Sequence, residues 1–443
     1  MGGTTLFGGD LGDADAAKSA KKADGEARVK RPDRRQSMFR PQTFDQLIPP
    51  DHRARGIVKF VDEMDLTRFY NSIRSRGCEP GRPATDPAML IALWLFATSE
   101  GVGSARQLER LCERDDAYRW ICGGVQVNQH TLSDFRIDHG EALDDLMTQV
   151  LGVLTHQGLV KLYRVSQDGV RVRANAGAAS FRREEALEEC LKAAREQVQF
   201  TKKLIDKDDP TRTDKMKEAA ARAAREREKR VRKAMHQLKA LEARQAARAR
   251  KDEKKPPRAS TTDPDARVMR MADGGYRPAF NMQFAVDTDT RAIVGVGVTN
   301  SGSDAGQMVP MIDEVERRTD KTPKEWLADG GYTDLSDIQG AGEKGVKVYV
   351  PVPERSAEID PHQPKESDEA HVAAWRKRMG TGQAMEIYRD RASTSERMNA
   401  DLRQHRGLRH LPVRGIEKTM MVGLWMAITY NALLWIGEKA ATL

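Results

Sequence analysis

Two stretches of the chain end a strand-like run in an aspartate followed by glycine: Leu162 to Asp168-Gly169, around Val165, and Trp326-Leu327-Ala328-Asp329-Gly330. If the two runs lie side by side, both carboxylates project from one edge of a sheet. Adjacent carboxylates repel and favour a cation between them, and hard oxygen donors with no thiolate nearby select Mg2+ or Mn2+. Two such ions, ~3.5–4 Å apart, suit an in-line phosphoryl displacement, one activating the attacking oxygen and one stabilising the leaving oxygen. A third acid has to come from a helix packed against that edge. Glu396 is the candidate, in Tyr388-Arg389-Asp390-Arg391-Ala392-Ser393-Thr394-Ser395-Glu396. The helix it opens puts Glu396, Asn399 and Arg403 on a polar face, with Met398 and Leu402 facing elsewhere. Plainer explanations exist for all three. Ser393-x-x-Glu396 is also the pattern of a capping box, in which the glutamate bonds the backbone N–H of the cap. An aspartate before glycine is often a turn residue.

The elements that must position these acids follow from periodicity. After Asp168 the chain leaves the sheet. Residues 183–251 are dominated by Ala, Glu, Lys and Arg, with Leu187, Leu191, Ala194 and Val198 on one face, a break at Asp208-Asp209-Pro210, and Ala220, Ala224, Val231, Met235, Leu238 and Leu241 resuming the pattern. This predicts two long helices in an antiparallel hairpin, ended by Pro256-Pro257. Phe280–Val286 and Ala292–Val298, joined by Asp287-Thr288-Asp289-Thr290, predict a β-hairpin. Ser303 caps a helix carrying Met308, Met311, Ile312 and Val315; Trp326–Asp329 is a short strand, Leu335–Ala341 a helix, and Val346–Pro351 a last strand. Without the insertion the order is strand, strand, strand, helix, strand, helix, strand, then helices. That is the order of an RNase H-like sheet, in which the strands of Asp168 and Asp329 are neighbours. The predicted fold is an α/β RNase H-like catalytic domain on a mixed five-stranded sheet, with a long helical-hairpin insertion, preceded by an all-α N-terminal domain.

The expected boundaries are a disordered basic tail at 1–40, ending in Lys30-Arg31-Pro32-Asp33-Arg34-Arg35; a helical domain at 41–158; a catalytic domain at 159–436 interrupted by 183–255; and a tail at 437–443. In the helical domain, Asp86-Pro87 opens a helix carrying Leu90, Leu93, Trp94 and Ala97. Ser104 precedes a second, Thr131 to Arg136 starts another, and Leu143, Leu146, Val150 and Leu154 extend an apolar stripe. Short helices with tight turns fit a helix-turn-helix reader of DNA or a packing module without base contacts. The 443 residues carry a net charge of +8, which favours polyanionic partners. The basic surface from Arg225 to Lys233 is either a phosphate grip or a solvated helix face. Cys78, Cys112, Cys122 and Cys190 show no metal-ligand spacing, which argues against a structural zinc and for reduced thiols. The absence of a signal-like start, and Thr429, Tyr430 and Asn431 within the apolar stretch Met420–Trp435, predict a cytoplasmic protein with that stretch as a buried helix.

In these residues the chain resembles the DDE transposases of bacterial insertion sequences, over residues 43–436. The N-terminal resemblance lies in Cys78-Glu79-Pro80-Gly81-Arg82-Pro83, the Asp86–Ala97 helix and Thr131-Leu132-Ser133-x-Phe135-Arg136. The catalytic resemblance lies in Asp168-Gly169, Asn281-x-Gln283, Ala328-Asp329-Gly330-Gly331-Tyr332, Arg414-Gly415 and the long helix with Asn431. One branch of the family carries Y-x2-R-x3-E-x6-K; Tyr388, Arg391, Glu396 and Arg403 match it, with one extra residue before the glutamate and arginine for lysine. The resemblance implies a transposase that hydrolyses a phosphodiester bond at each transposon end and uses the freed 3′-OH to attack target DNA. It implies two ions, Mg2+ or Mn2+, on Asp168, Asp329 and Glu396. It implies DNA contacts by Tyr388, Arg391, Arg403 and Arg136, with Asn281 and Gln283 orienting the site or only packing the sheet. The implied partners are double-stranded transposon ends and target DNA, bound by a dimer in the bacterial nucleoid. The alternatives are an RNase H-like structure-specific nuclease and a non-catalytic DNA-binding protein derived from a transposase.

Overall fold

The structure, a computed structural model, describes residues 41–76, 83–205, 213–247, 256–354 and 360–441. The expected tail at 1–40, the Cys78 to Arg82 part of the N-terminal motif, and the Asp208-Asp209-Pro210 break lie outside the described residues.

Seven helices come first: α1 (Arg53–Asp62), α2 (Thr67–Asn71), α3 (Pro87–Ser99), α4 (Ala105–Arg114), α5 (Asp116–Cys122), α6 (Gln129–Asp138) and α7 (Gly140–His156). Asp86 caps α3 by accepting the Ala88 N–H, with Pro87 at the first helical position. From Leu90 to Ser99 every residue of α3 is buried, because this helix is the axis of the group and has no solvent face. Leu143, Leu146, Val150 and Leu154 are buried on α7, as their spacing predicts.

The strands are β1 (Arg164–Arg173), β2 (Phe181–Arg182), β3 (Ala259–Ser260), β4 (Arg267–Arg270), β5 (Tyr276–Asp287), β6 (Ile293–Thr299), β7 (Glu325–Leu327) and β8 (Lys347–Tyr349). β1 corrects an expectation. It does not end at Asp168: Val170 and Val172 continue the alternation, are buried, and pair with Met282 and Phe280 of β5. β5 is antiparallel to β1 and β6, while β7 runs parallel to β1 and β8 parallel to β7. The path β6-β5-β1-β7-β8 is the expected RNase H-like order. The sheet nevertheless has six strands rather than five, because β4 joins β5 beyond the end of β6. β4 has four residues flanked by arginines, with Val268 half exposed, so it presents no apolar run to read.

Between β2 and β3 stand the long helices α8 (Glu184–Ile205) and α9 (Asp214–Ala247). They are antiparallel: Leu187 packs with Ala234 and Leu238, while Arg195 and Gln197 meet Glu228 and Arg227. After β6 come α10 (Met308–Thr319), α11 (Leu335–Glu343), α12 (Ala370–Met379), α13 (Gly382–Arg391), α14 (Arg397–Gln404) and α15 (Ile416–Ala441). Ser303 does not cap α10. The helix starts four residues later than that assignment requires, with Gln307 at its cap, so residues 300–307 form a loop. Among the described residues α15 is long and apolar enough to cross a bilayer. Here it packs against β6, α7 and α3, and most of its apolar window is buried. Asn431 at its centre is fully buried and bonds both backbone groups of Ile293, beside the β5–β6 bulge.

One hydrophobic core joins α3, α7, α15 and both sides of the sheet. A buried charge reinforces the joint between α7 and α10. The Arg318 side chain is fully buried and bonds the Asp144 carboxylate and carbonyl, Thr148 Oγ1 and Glu314. Removing Arg318 leaves Asp144 and Glu314 with Arg317 as their remaining charged partner, at a cost of about 1–3 kcal/mol for the lost charged hydrogen bonds. Arg318→Ala is therefore expected to lower the urea midpoint of unfolding by that amount of stability; an unchanged midpoint would show the network to be dispensable.

Candidate active site

The register between β1 and β7 sets the first two acids. Val165 pairs with Trp326 and Ser166 with Leu327, so carrying the register on by two residues brings Asp168 level with Asp329. β7 stops at Leu327, which leaves this side of β1 open beside Asp168. Asp329 caps a single 3-10 turn, accepting the Gly331 N–H at 2.8 Å. The Asp168 carboxylate accepts its neighbour Gly169 N–H at 2.8 Å and the Asn399 amide N–H at 2.9 Å.

The third acid arrives on a helix that crosses this face. The run from Gly382 to Gln404 is continuous: α13, a π turn at Ala392–Glu396, then α14. Hence no helix begins at Ser393. Its hydroxyl donates to the Asp390 carbonyl, so the capping-box explanation of Glu396 fails. A π turn holds one residue more than an α turn. It absorbs the extra residue between Arg391 and Glu396 and leaves the two side chains facing each other, with Arg391 Nη1 3.1 Å from Glu396 Oε1. The turn is pinned to the sheet by a buried hydrogen bond between the Ser395 and Ser166 hydroxyls at 2.5 Å. α13 is pinned by Arg164, which bonds Asp390 on that helix and Glu325 on β7. Deleting Ser393, which is exposed, is expected to turn the π turn into an α turn. Arg391 and Glu396 then stand four apart and still share a face, so thermal stability and DNA cleavage should stay within about tenfold of wild type. Inactivation by this deletion, in a protein that still folds, would contradict the role given to the π turn.

Arg391 is the hub. Its guanidinium lies 3.7 Å from Asp329 and 3.1 Å from Glu396, and its Nε has no partner in the described structure. Burial pushes the Asp168 carboxyl up to about 6; the Arg391 charge opposes this, and the negative charges of Asp329 and Asp304 add to it. Burial raises the phenol of Tyr388, half-buried on α13; the Arg391 charge opposes this, and Asp329, Asp168 and Glu396 add to it. The structure thus gathers Asp168, Asp329, Glu396, Arg391 and Tyr388. Arg403 lies about two turns beyond Glu396, and no side-chain bond ties it to the acids among the described residues. Arg136 is elsewhere, buried on α6, where burial lowers its guanidinium to about 10.

Among the described residues no three Asp, Glu, His or Cys side chains stand close enough together to hold a metal ion, because Arg391 lies between Asp329 and Glu396. The donors still fit a hard divalent cation. They are all oxygens, Asp168 is a carboxylate poorly tolerated by its buried surroundings, and the Glu396 side chain is 61% exposed and free to swing.

One acid escaped sequence reasoning. Asp304 lies on the reverse face of β1, below Gly169. Its Oδ1 accepts the Asn281 and Gln283 amides at 2.6 and 2.9 Å, and Oδ2 faces Arg171 at 3.4 Å. Gln283 also takes the Gln167 amide and the Tyr332 hydroxyl, and Gln167 takes the Trp326 indole N–H, so a buried polar ladder backs the two aspartates. A Cβ at position 169 would lie 2.5 Å from Asp304 Oδ1 and 2.6 Å from Gln283 Nε2, which is why glycine follows Asp168. The available signal was modest: Asp304 is the sole acid between Thr299 and Met308.

A sheet of this order, with two aspartates level on neighbouring parallel strands, is that of an RNase H-like domain. The chain matches the family models described as "Transposase domain (DUF772)" over residues 42–138 and "Transposase DDE domain" over residues 256–432. No curated protein and no solved structure is matched. The chain is a DDE transposase of the insertion-sequence type, a metal-dependent enzyme that cuts DNA and transfers strands. The catalytic match includes Asp329 and Glu396; Asp168 precedes it, on the strand whose register ties it to β5. The family works on DNA at transposon ends, inside the cell, with divalent metal ions.

Proposed function

We propose that Asp168, Asp329 and Glu396 are the metal-holding acids of this transposase, and that Tyr388, Arg391 and Arg403 handle the DNA strand beside them. The observation that carries this reading is that Asp168 and Asp329 are level on adjacent strands while Glu396 shares the Arg391 guanidinium with Asp329. Two Mg2+ or Mn2+ ions, when bound, supply activation of the attacking oxygen and charge stabilisation at the leaving one. The chain's own residues do the rest. Asn399 and the Gly169 N–H orient Asp168, the Gly331 N–H orients Asp329, and the Asn281–Gln283–Asp304 ladder fixes the reverse side of β1. Asp168, Asp329 and Glu396 would hold the ions, and Arg391, which pairs with Asp329 and Glu396, would meet the scissile phosphate, where a planar guanidinium binds two oxygens at once. Tyr388 borders the same space and positions the strand.

On this reading the helices of 41–158 recognise the ends, the hairpin of 183–255 adds grip on the backbone, and a dimer on DNA cuts two ends together. The test is a duplex carrying the DNA that flanks the gene on either side, searched for inverted repeats, incubated with Mg2+, Mn2+ or EDTA. Wild type should free a 3′-OH with either metal and join it to supercoiled DNA. Asp329→Asn and Glu396→Gln should do neither while melting as cooperatively as wild type. Cleavage at wild-type rate by either variant would end the assignment.

A further inference from the structure

Arg136 is nine-tenths buried, with 8% of the residue exposed. Its Nη1 donates to the Gly103 carbonyl at 2.6 Å, its guanidinium lies 4.6 Å over the Trp94 ring, and its Nε has no partner among the described residues. Burial alone lowers the group, with no nearby acid acting against it. A charge withdrawn from water without a counter-ion is costly, and an aliphatic side chain would pack the same space without that cost. Arg136 therefore has room for an anion that the described chain does not supply.

Trp94 and Gly103, which Arg136 touches, line a cavity of about 270 Å3 together with it. The cavity lies where α3, the turn before α4 and α6 meet the segment 406–412 and α15. Its wall is mostly apolar: the indoles of Trp94 and Trp425, with Leu408, Val422 and Met426. Both indole N–H groups donate to carbonyls of α6, at Leu132 and Arg136, so the rings offer carbon surface to an occupant. No Asp or Glu lines the cavity. Its other arginine, Arg406, is held by the Asp401 carboxylate and the Ser99 carbonyl, whereas Arg136 is not held by any acid. The rim is fixed by backbone contact. Gly101 and Gly407 both have positive φ, and a Cβ on Gly407 would lie 2.8 Å from the Gly101 carbonyl oxygen. The cavity is therefore formed before anything enters it.

We propose that this cavity binds a small aromatic carboxylate, with its carboxyl group on Arg136 and its ring against Trp425, Leu408 and Met426. One unengaged guanidinium matches a single negative charge, and its fork matches a carboxylate. Apolar walls favour a planar carbon body over a bare inorganic ion. Ligand pockets usually span about 300–1,000 Å3, so a volume at their lower end admits about one ring. The site is apart from Asp168, Asp329 and Glu396 and does not depend on their roles. Its walls come from the N-terminal helices and from the segment after α14, so an occupant braces these two parts against each other.

The test is titration of the full chain, in EDTA and at constant ionic strength, with benzoate, its neutral counterpart benzamide, and acetate. Tryptophan fluorescence and melting temperature are the readouts. Benzoate should saturate with a midpoint of about 1 mM or below and raise the melting temperature. Benzamide, which lacks the charge, and acetate, which lacks the ring, should each bind at least about tenfold more weakly. Arg136→Met should weaken benzoate by about tenfold or more and leave benzamide unchanged. Photolabelling with 4-azidobenzoate should mark peptides carrying Trp94, Leu408 or Met426, and excess benzoate should protect them. The proposal is overturned if benzamide or acetate binds as well as benzoate, if benzoate does not saturate, or if the protected label lies elsewhere. Should Arg136→Met melt early, the three wild-type titrations and the position of the label decide alone.

Discussion

Asp168→Asn is expected to abolish strand cleavage, by about 10³-fold or more, and yet to melt at a higher temperature than wild type in metal-free buffer at neutral pH. Both effects come from one cause. Burial, with Asp329 and Asp304 nearby, raises the Asp168 carboxyl to about 6 despite the opposing Arg391 charge. A carboxyl whose folded value lies above its unfolded one stabilises the fold as the neutral acid at low pH. That stability is lost as pH rises from about 4 through 6 and the carboxylate is forced on the folded state. Asparagine stays neutral and still accepts the Gly169 N–H or the Asn399 amide. It should recover roughly 1–3 kcal/mol near pH 7.5, a gain that vanishes below about pH 4. Mg2+ or Mn2+ should raise the wild-type melting temperature and leave the variant nearly unmoved. A variant that melts lower than wild type at pH 7.5, or responds to metal as wild type does, would refute this account of Asp168.

Much of this site was readable in the sequence, and the unread parts share a physical reason. The Asp168 and Asp329 runs stood out because strand, acid and glycine are local features, and the β1–β7 register that levels them follows from sheet order. The continuation of β1 past Gly169 was hidden because glycine in a strand looks like an ending; here it is the one residue that lets Asp304 and Gln283 pass underneath. Asp304 was invisible because its importance is wholly tertiary: it lies in a loop and is clasped by amides more than twenty residues earlier in the chain. The π turn was unreadable for the opposite reason. Local spacing argued for a cap at Ser393, and only packing of Ser395 on Ser166 selects a continuous helix with one residue extra. Arg136 could be picked out by its motif, but no pattern in the sequence tells that its guanidinium will be buried on Trp94 with its Nε unpaired among the described residues.

Arg391 is where the arrangement of charges is expected to matter most after the acids themselves. Its guanidinium spans Asp329 and Glu396, with Asp168 within its field. Neutral Arg391→Gln should therefore act in opposite directions on two observables. Without the competing cation, the acids should bind Mn2+ more tightly, measured as a lower half-saturation by titration of the protein alone. Cleavage at saturating metal should nonetheless fall about 10²–10³-fold, the usual effect of removing a group that stabilises developing phosphate charge. Arg391→Lys separates charge from shape. It should restore near wild-type metal competition, because a positive charge again lies between the carboxylates, but only part of the rate, because an ammonium cannot hold two phosphate oxygens in one plane. The rate and the metal affinity must move apart for this reading to stand. If Arg391→Gln weakens metal binding and cleavage in parallel, Arg391 merely holds the acids in place; if it cleaves at wild-type rate, the guanidinium has no part in the reaction. Removing Arg391 also removes a positive charge that lowers the Asp168 carboxyl, so the variant's cleavage should need a higher pH than wild type at limiting metal.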